Sequence, residues 1–211
     1  GGRLKMTITD VKPRRKSLVA LYIDGEFAVN VDKETFLISR YKVGSQITDE
    51  EFYDLTRKSE NKRSKEKAFY LIEHRDHSSK ELFDKIKKST NEESAYLAVE
   101  KLKDLELIND AAFAKRYASE LFNRKKFAAK RVKYELIKKG IDKEIVNEII
   151  EDVEIDPKEQ ILELLLGKYK NAMYDEKRLK RAIAALQRYG YNWEDIRSVL
   201  EDLKSNFDND L

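Results

Sequence analysis

A motif that recurs at a fixed spacing constrains this chain more than any other feature. Residues 136–140, Leu-Ile-Lys-Lys-Gly, match residues 186–190, Leu-Gln-Arg-Tyr-Gly, at an offset of 50 positions. Self-similarity at such a period predicts repeated supersecondary units that pack against their neighbours. The match continues past the glycine, where the apolar positions of the next segment coincide: Val146, Ile149, Ile150 and Val153 align with Ile196, Val199, Leu200 and Leu203.

The same offset in the other direction indicates a third copy. Residues 80–88 align with residues 130–138, with lysine at both ends and apolar residues inside, although Thr90 stands where the other copies have glycine. We therefore predict a mainly α fold of three tandem three-helix repeats at residues 64–108, 109–154 and 156–204, followed by a tail at 205–211. Because each unit alone would expose an apolar stripe, we expect the units to stack into an elongated array.

The middle helix of the second unit, residues 127–140, is the clearest copy of the pattern. At 100° per residue, Ala129, Val132 and Leu136 share one narrow face, and the cations fan across the other. The segment ends in Lys-Lys-Gly, which places cations near the last helical carbonyls and a glycine at the left-handed position after the helix. One face is thus predicted to pack, and the other to be cationic.

Local signals mark where the helices begin. Ser78 with Glu81 and Thr90 with Glu93 fit the capping box, in which a hydroxyl and a carboxylate satisfy each other's backbone donors. Side chains suited to an N-cap predict five more helix starts, at Asn109 or Asp110, Asp142, Asp156, Asp175 and Asn192.

The sequence of the N-terminal residues predicts a β-sheet. Residues 18–31 form two β-rich runs that meet at Asp24-Gly25, a dipeptide that tolerates the positive φ angles of a type I′ hairpin turn. Residues 6–11 are predicted to add a third strand, since an isolated hairpin is marginally stable. Pairing outward from the turn sets Tyr22 opposite Phe27, Ala20 opposite Val29 and Leu18 opposite Val31.

The segment between the hairpin and the first repeat is predicted to contain two short helices, at residues 32–41 and 48–57. After them, residues 59–64, Ser-Glu-Asn-Lys-Arg-Ser, are the clearest break in composition. We predict a domain junction there, which separates a small N-terminal region with a β-hairpin, residues 1–60, from the repeats.

The placement of the charges is more informative than their total. With 43 Lys and Arg against 40 Asp and Glu, the net charge of +3 is too small to indicate nucleic-acid binding. The cations nevertheless recur at equivalent positions of the middle helices. A solvated helix face is one explanation, and a surface for an anionic partner is the other. The candidate partner-binding residues are Lys80, Lys88, Lys130, Arg131, Lys133, Lys138, Lys180, Arg181 and Arg188.

Several classes of function lack the residues that they need. The chain has no cysteine, and its two histidines, His74 and His77, are predicted to lie on the surface. The motifs GxxxxGK[ST], GxGxxG and GxSxG are missing from the sequence. We therefore predict a non-enzymatic protein without catalytic residues, metal site or cofactor. With no long apolar run and no leader pattern, we expect a soluble cytoplasmic protein that does not contact membranes.

Three segments resemble the RecX regulatory protein family, over about residues 65–205. The family carries an Arg-x-x-Ser-x-x-Glu-Leu segment, an Asp-x-x-Phe-Ala segment and an Arg-Ile-x-x-Glu-Leu-x-x-Lys-Gly-Ile segment in consecutive three-helix repeats. Here Val132 replaces Ile in the third segment, and Thr90 stands where a Lys-Gly ending is common. The matching residues are Arg75, Ser78, Glu81 and Leu82, then Asp110, Phe113 and Ala114, then Arg131, Glu135, Leu136, Lys139, Gly140 and Ile141.

The resemblance implies a modulator of the RecA recombinase in DNA recombination, repair and the SOS response. Such proteins are expected to lie as monomers along the groove of the RecA filament on single-stranded DNA, restraining its ATPase and strand-exchange activity. The residues leave two alternatives open: a direct DNA binder built from helix-turn-helix-like units, and a protein adaptor. Tyr134 and Tyr189 stand beside cations and could stack on bases, whereas Tyr191 and Trp193 are predicted to form a local staple at a turn.

Overall fold

The computed structural model describes residues 5–209. The chain begins with a four-stranded antiparallel sheet of order β3-β2-β1-β4, formed by β1 (Lys5–Pro13), β2 (Leu18–Ile23), β3 (Glu26–Asp32) and β4 (Gln46–Thr48). The predicted hairpin and third strand are confirmed. Strand β4 was not predicted, because three residues are too few to carry a periodic pattern.

A β-bulge corrects the predicted hairpin register. Tyr22 pairs with Phe27 as expected, but the next pair is Leu21 with Val29, which leaves Ala28 as the extra residue of the bulge. Ala20 therefore lies opposite Asn30 and Leu18 opposite Asp32, so the predicted pairs of Ala20 with Val29 and of Leu18 with Val31 are wrong. A bulge shifts the register by one position on the bulged strand, and the alternation of residues in the sequence did not reveal it.

Helix α1 (Lys33–Ser39) is close to its predicted position, whereas α2 (Asp49–His74) is far longer than the predicted helix at 48–57. Residues 59–64 lie inside α2, so the helix predicted to end at residue 57 continues through the predicted domain junction, which itself stays a prediction. Two polar residues of this stretch bond to Asp32 at the end of β3. Ser59 is fully buried, and its hydroxyl accepts a hydrogen bond from the backbone N–H of Asp32 at 2.6 Å. Lys62 donates to the Asp32 carboxylate at 2.8 Å.

The remaining helices follow the predicted three-helix pattern, so the mainly α class with a small N-terminal sheet is confirmed. Helix α5 continues into a π-helical turn, Glu120–Arg124, and a 3₁₀ turn, Ala172–Tyr174, precedes α9. Residues 205–209 of the predicted tail continue the last helix, and 210–211 lie outside the described residues. The helices are α3 (Ser79–Ile86), α4 (Glu92–Asp104), α5 (Asp110–Ser119), α6 (Ala129–Lys138), α7 (Lys143–Glu151), α8 (Pro157–Leu166), α9 (Glu176–Arg188) and α10 (Trp193–Asn209).

The predicted helix starts are confirmed with one exception. Ser78 and Glu81 form the expected capping box on α3. Helix α4 is capped by Asn91 and not by Thr90, because the Asn91 side chain accepts from the backbone N–H of Ser94. The Thr90 hydroxyl instead donates back to the carbonyl of Ile86. The other predicted caps that accept backbone hydrogen bonds are Asn109, Asp142, Asp156, Asp175 and Asn192.

The chain divides into an N-terminal unit, residues 1–108, and a C-terminal unit, residues 109–211. Among residues 5–209, each unit contains two apolar clusters. In the N-terminal unit one cluster joins the sheet to α1 and the start of α2, and the other joins the end of α2 to α3 and α4. In the C-terminal unit one lies among α5, α6 and α7, and the other among α8, α9 and α10. The domain limits proposed from the sequence, and the elongated arrangement, stay predictions.

Candidate partner-binding surfaces

Helix α6 separates a packed face from a cationic one, as its sequence predicts, but Ala129, which was predicted on the packed face, is exposed in the first turn. Val132 and Leu136 are fully buried in the cluster with α5 and α7. Lys130 and Lys138 are exposed, and within the described part of the chain neither forms an ion pair. Because neither ammonium is held in an ion pair by a described residue, both charges are available to an anionic partner.

Arg131 behaves differently from its neighbour Lys130. Its guanidinium bonds to Glu135 one turn later at 2.6 Å, and it lies over the rings of Phe127 and Tyr134 at 5.6 and 5.2 Å from their centroids. Glu135 itself is only 14% exposed. Arg131 thus stabilises the start of α6 and its charge is partly compensated, although sequence alone assigned it the same role as Lys130.

The other predicted cations divide into paired and unpaired groups. Lys80 bonds to Asp84 at 2.6 Å, Lys180 to Glu176 at 2.6 Å, and Lys133 donates to Asn147 on α7 at 2.8 Å. The two exposed ion pairs are weakly held, so these lysines stay accessible. The candidates that are exposed and make no ion pair with any described residue are Lys88 in the N-terminal unit and Lys130, Lys138, Arg181 and Arg188 in the C-terminal unit.

The turn between α9 and α10 docks on the start of α6. The carbonyl of Tyr189 accepts a hydrogen bond from the backbone N–H of Ala128 at 2.9 Å. Gly190, at φ 98°, lies so close to α6 that a Cβ on it would stand 2.8 Å from the backbone nitrogen of Arg131. This contact holds the cationic faces of α6 and α9 in one arrangement within the C-terminal unit.

Tyr191 completes that contact from inside. It is 4% exposed, and its hydroxyl lies 2.8 Å from both the carbonyl of Lys126 and the side-chain oxygen of Gln160. The amide nitrogen of Gln160 donates in turn to the carbonyl of Phe122 at 3.1 Å. Burial raises the pKa of the Tyr191 hydroxyl, which keeps it a donor.

The prediction that Tyr191 forms a local staple is wrong, because its hydroxyl bonds to residues of α8 and of the segment before α6. Trp193 is 48% exposed at the start of α10. One residue of the sequence could have indicated this hydrogen bond between distant segments. Gln160 is a polar residue directly before the apolar Ile161 in the segment that forms α8. A buried amide there requires partners of its own.

Cations and aromatic rings alternate next to this contact. The Lys168 ammonium donates to the Tyr189 hydroxyl at 2.6 Å, and the Tyr189 ring lies 5.1 Å from the ring of Phe127, over which Arg131 stacks. The hydrogen bond raises the pKa of Lys168 and lowers that of Tyr189. Tyr134, at the other end of the row, is 54% exposed.

The two histidines differ in their exposure and partners. His74 is exposed as predicted, but His77 is 4% exposed, so its surface prediction is wrong. Its Nδ1 lies 2.8 Å from the Arg75 carbonyl and its Nε2 lies 2.9 Å from the Lys85 ammonium, and burial lowers its pKa. Within residues 5–209, no group of three or more His, Asp or Glu side chains could hold a metal ion, and no described helix is both long and apolar enough to cross a membrane.

Comparison with known proteins identifies the family. Residues 109–150 match the second three-helix domain of RecX. A regulatory protein RecX of Caldanaerobacter subterraneus subsp. tengcongensis is 32% identical over 198 residues, which cover 92% of this chain and 98% of the relative. The chain belongs to the RecX regulatory protein family. A RecX of Clostridium beijerinckii is 30% identical over 93% of this chain and 94% of its own length.

Solved structures of RecX proteins share the fold. A crystal structure of regulatory protein RecX superposes with a TM-score of 0.59 at 17% identity, covering 93% of this chain and 99% of that one. RecX from Lactobacillus salivarius gives a TM-score of 0.56 at 23% identity, over 69% of this chain and 97% of its own.

The residues that carry the RecX resemblance serve the fold. Arg75 lies 3.4 Å from Glu81, which closes the capping box with Ser78. In the second and third segments, Phe113, Ala114, Leu136 and Ile141 are buried, and Gly140 has φ 78°. These RecX motif positions therefore build helix ends and cores of this chain.

Proposed function

We propose that this chain binds the RecA filament on single-stranded DNA and restrains its ATPase and strand-exchange activity, acting as a cytoplasmic monomer without catalysis of its own. Membership of the RecX family supports RecA as the target. The observation that carries the contact surface is the exposed, unpaired state of Lys130 and Lys138 on α6 and of Arg181 and Arg188 on α9.

The charges suit a partner with a repeated anionic or acidic surface. Exposed cations raise the local potential and speed association with an oppositely charged partner, and salt screens that effect over about 8 Å at physiological ionic strength. The turn at Gly190 contacts the start of α6, and this contact fixes α6 and α9 relative to one another before any partner binds.

A binding titration tests the proposal. We expect the protein to bind a preformed filament of the cognate RecA on single-stranded DNA more tightly than bare single-stranded or double-stranded DNA at physiological salt. Equal affinity for all three would contradict a filament-specific surface. Inhibition of RecA-driven ATP hydrolysis by the same samples then tests whether binding restrains the recombinase.

Direct DNA binding is the second candidate, and the exposed ring of Tyr134 favours it. The ring is 54% exposed and carries the Arg131 guanidinium 5.2 Å from its centroid. A base stacked on such a ring contributes about 1–3 kcal/mol. If the protein binds bare DNA through about six phosphate contacts, the logarithm of its affinity falls against the logarithm of the salt concentration with a slope of about −5. A slope near zero for bare DNA would reject it.

A further inference from the structure

An open cleft beside α9 collects cations from two elements of the C-terminal unit. Its volume is about 370 Å³. Arg178 and Arg181 come from the first turns of α9, while Lys168 and Lys170 come from the segment after α8. Among the described residues that line the cleft there is no carboxylate; they are Lys168, Tyr169, Lys170, Asn171, Ala172, Arg178, Arg181 and Ala182.

The nearby acids are already engaged. Asp175 caps α9 by accepting from the backbone N–H of Lys177 at 2.7 Å, and it lies 3.7 Å from the Nε of Arg178. Glu176 bonds to Lys180 at 2.6 Å. Asp175 therefore offsets part of one charge, and the cleft keeps a clear excess of positive charge.

The arrangement favours a phosphate over a carboxylate. Arg178 and Arg181 stand three residues apart on one face of α9, where two planar guanidinium groups can each donate to an oxyanion. A phosphate offers three terminal oxygens and up to two negative charges, which matches several cations from two directions. A single carboxylate offers two oxygens and one charge.

An aromatic ring stands directly beside the cations. Tyr169 lines the cleft, and the Lys168 ammonium lies 5.5 Å from its ring centroid and 5.3 Å from that of Tyr189. The hydrogen bond from Lys168 to Tyr189 fixes this lysine at the border between the cleft and the rings. Phosphate recognition next to a π-face is the chemistry of nucleotide binding.

We propose that the cleft binds the phosphate of a nucleotide, with Arg178 and Arg181 donating to its oxygens, Lys170 adding charge and Tyr169 flanking the base. The ligand is either a free nucleotide, whose terminal phosphate has three free oxygens, or a nucleotide of a polynucleotide strand, whose phosphodiester has two free oxygens and one charge; both offer oxyanions beside a base. This site goes beyond the proposed function, because it is a property of the protein alone and does not require RecA. Of its cationic residues, only Arg181 was a candidate from sequence.

Direct binding to the full-length protein tests the site. The probes are ATP and tripolyphosphate by calorimetry, and a fluorescent oligodeoxythymidylate and a fluorescent polyglutamate peptide by anisotropy, at constant ionic strength. We expect the double variant Arg178→Ala/Arg181→Ala to bind the phosphate probes at least about tenfold more weakly, since charge-assisted hydrogen bonds are lost. The matched control Arg197→Ala/Lys204→Ala removes the same charge from α10 and keeps the wild-type affinity.

Each result decides the question. Binding of ATP and tripolyphosphate without the oligonucleotide assigns a free nucleotide, and the reverse assigns a strand; both support the site. Equal losses in the two double variants, equally tight binding of polyglutamate, or no saturable binding of any phosphate probe would overturn it. If the test variant loses its folded circular-dichroism signal, an amide NMR titration of wild type with ATP replaces it. Shifts centred on Asn171 and Ala182 then support the site, and shifts centred elsewhere reject it.

Discussion

Two sides of helix α6 carry cations that look alike in sequence and differ in the folded chain. Arg131 is held by Glu135, by two rings and by the close approach of Gly190, whereas its neighbour Lys130 is exposed and unpaired. A cation at a repeat position can therefore have one of two roles. It can stabilise the contact between the α5–α7 and α8–α10 groups, or it can face solvent. Only the second kind is available to a partner. Four predictions test this division.

The largest effect is expected at the point where the turn meets α6. We expect Gly190→Ala to lower the free energy of unfolding by about 2–4 kcal/mol, because alanine is strained at φ 98° and its Cβ would stand 2.8 Å from Arg131. Chemical denaturation of the full chain measures it. Gly44→Ala is the matched control, since Gly44 has φ 89° but nothing within 4 Å of its Cβ position. Equal losses at both sites would mean that the contact with α6 is unimportant.

Tyr191→Phe is expected to cost about 1–2 kcal/mol, because the carbonyl of Lys126 and the side chain of Gln160 lose their shared donor inside the protein. Thermal unfolding measures the loss. The burial of this hydroxyl also predicts a pH dependence of stability. Burial raises the Tyr191 pKa above its ordinary value of 10.0, so the stability it contributes is present below pH 10.0 and falls as the pH rises further. The variant should lose less stability than wild type over that range, and parallel curves would argue against it.

A smaller difference should separate the two neighbouring cations. We expect Arg131→Gln to lower the unfolding free energy by about 1 kcal/mol, since the half-buried Glu135 loses its partner and the rings lose the guanidinium. Lys130→Gln should leave the thermal transition where it is. Each variant removes one positive charge from α6, so the difference between their thermal transitions reports the contacts of Arg131. Identical transitions would remove the distinction between them.

The smallest effect on stability is expected on the exposed face of α6, where substitutions should change RecA inhibition instead. We expect Lys130→Glu/Lys138→Glu to keep the wild-type thermal transition and to weaken inhibition of RecA-driven ATP hydrolysis, because both lysines are exposed and unpaired within the described chain. Lys143→Glu/Lys158→Glu, on α7 and α8, is the charge-matched control. An inhibition curve that is unchanged in the α6 variant, or equally changed in the control, would reject α6 as the contact face.

Local chemistry explains which parts of the fold were predictable. A capping box such as Ser78 with Glu81 needs only four consecutive residues, so it can be read from the sequence. The similar pattern of Thr90 with Glu93 indicated the start of α4 but missed its cap by one residue, because Asn91 caps that helix. The stretch at 59–64 did not reveal that the helix continues through it, since a polar composition is typical of loops and also of a helix that bonds to a distant strand, as Ser59 does. Ser59 and Asp32 are 27 positions apart, and nothing local connects them.

The sequence predicted which helices carry the candidate cations, but it did not predict which of those cations are paired with other residues. The offset of 50 places Lys130 with Lys180, Arg131 with Arg181 and Lys138 with Arg188. The structure leaves Lys130, Lys138, Arg181 and Arg188 exposed and without an ion pair to any described residue. The offset could not separate them from Arg131, because the partner of Arg131 depends on how Gly190 approaches α6. Lys168 and Lys170 follow α8 and lack a periodic pattern, so the cleft that they share with α9 was not expected.

The sequence by itself determined the repeat, the apolar faces of the middle helices and nearly every helix start, because these depend on side chains within one or two turns of each other. The tertiary structure alone decided the bulge at Ala28, the unbroken α2, the bridge from Tyr191 to Gln160 and the gathering of cations beside α9. Each of these depends on segments far apart in the chain meeting in space, where packing and buried hydrogen bonds outweigh local preference.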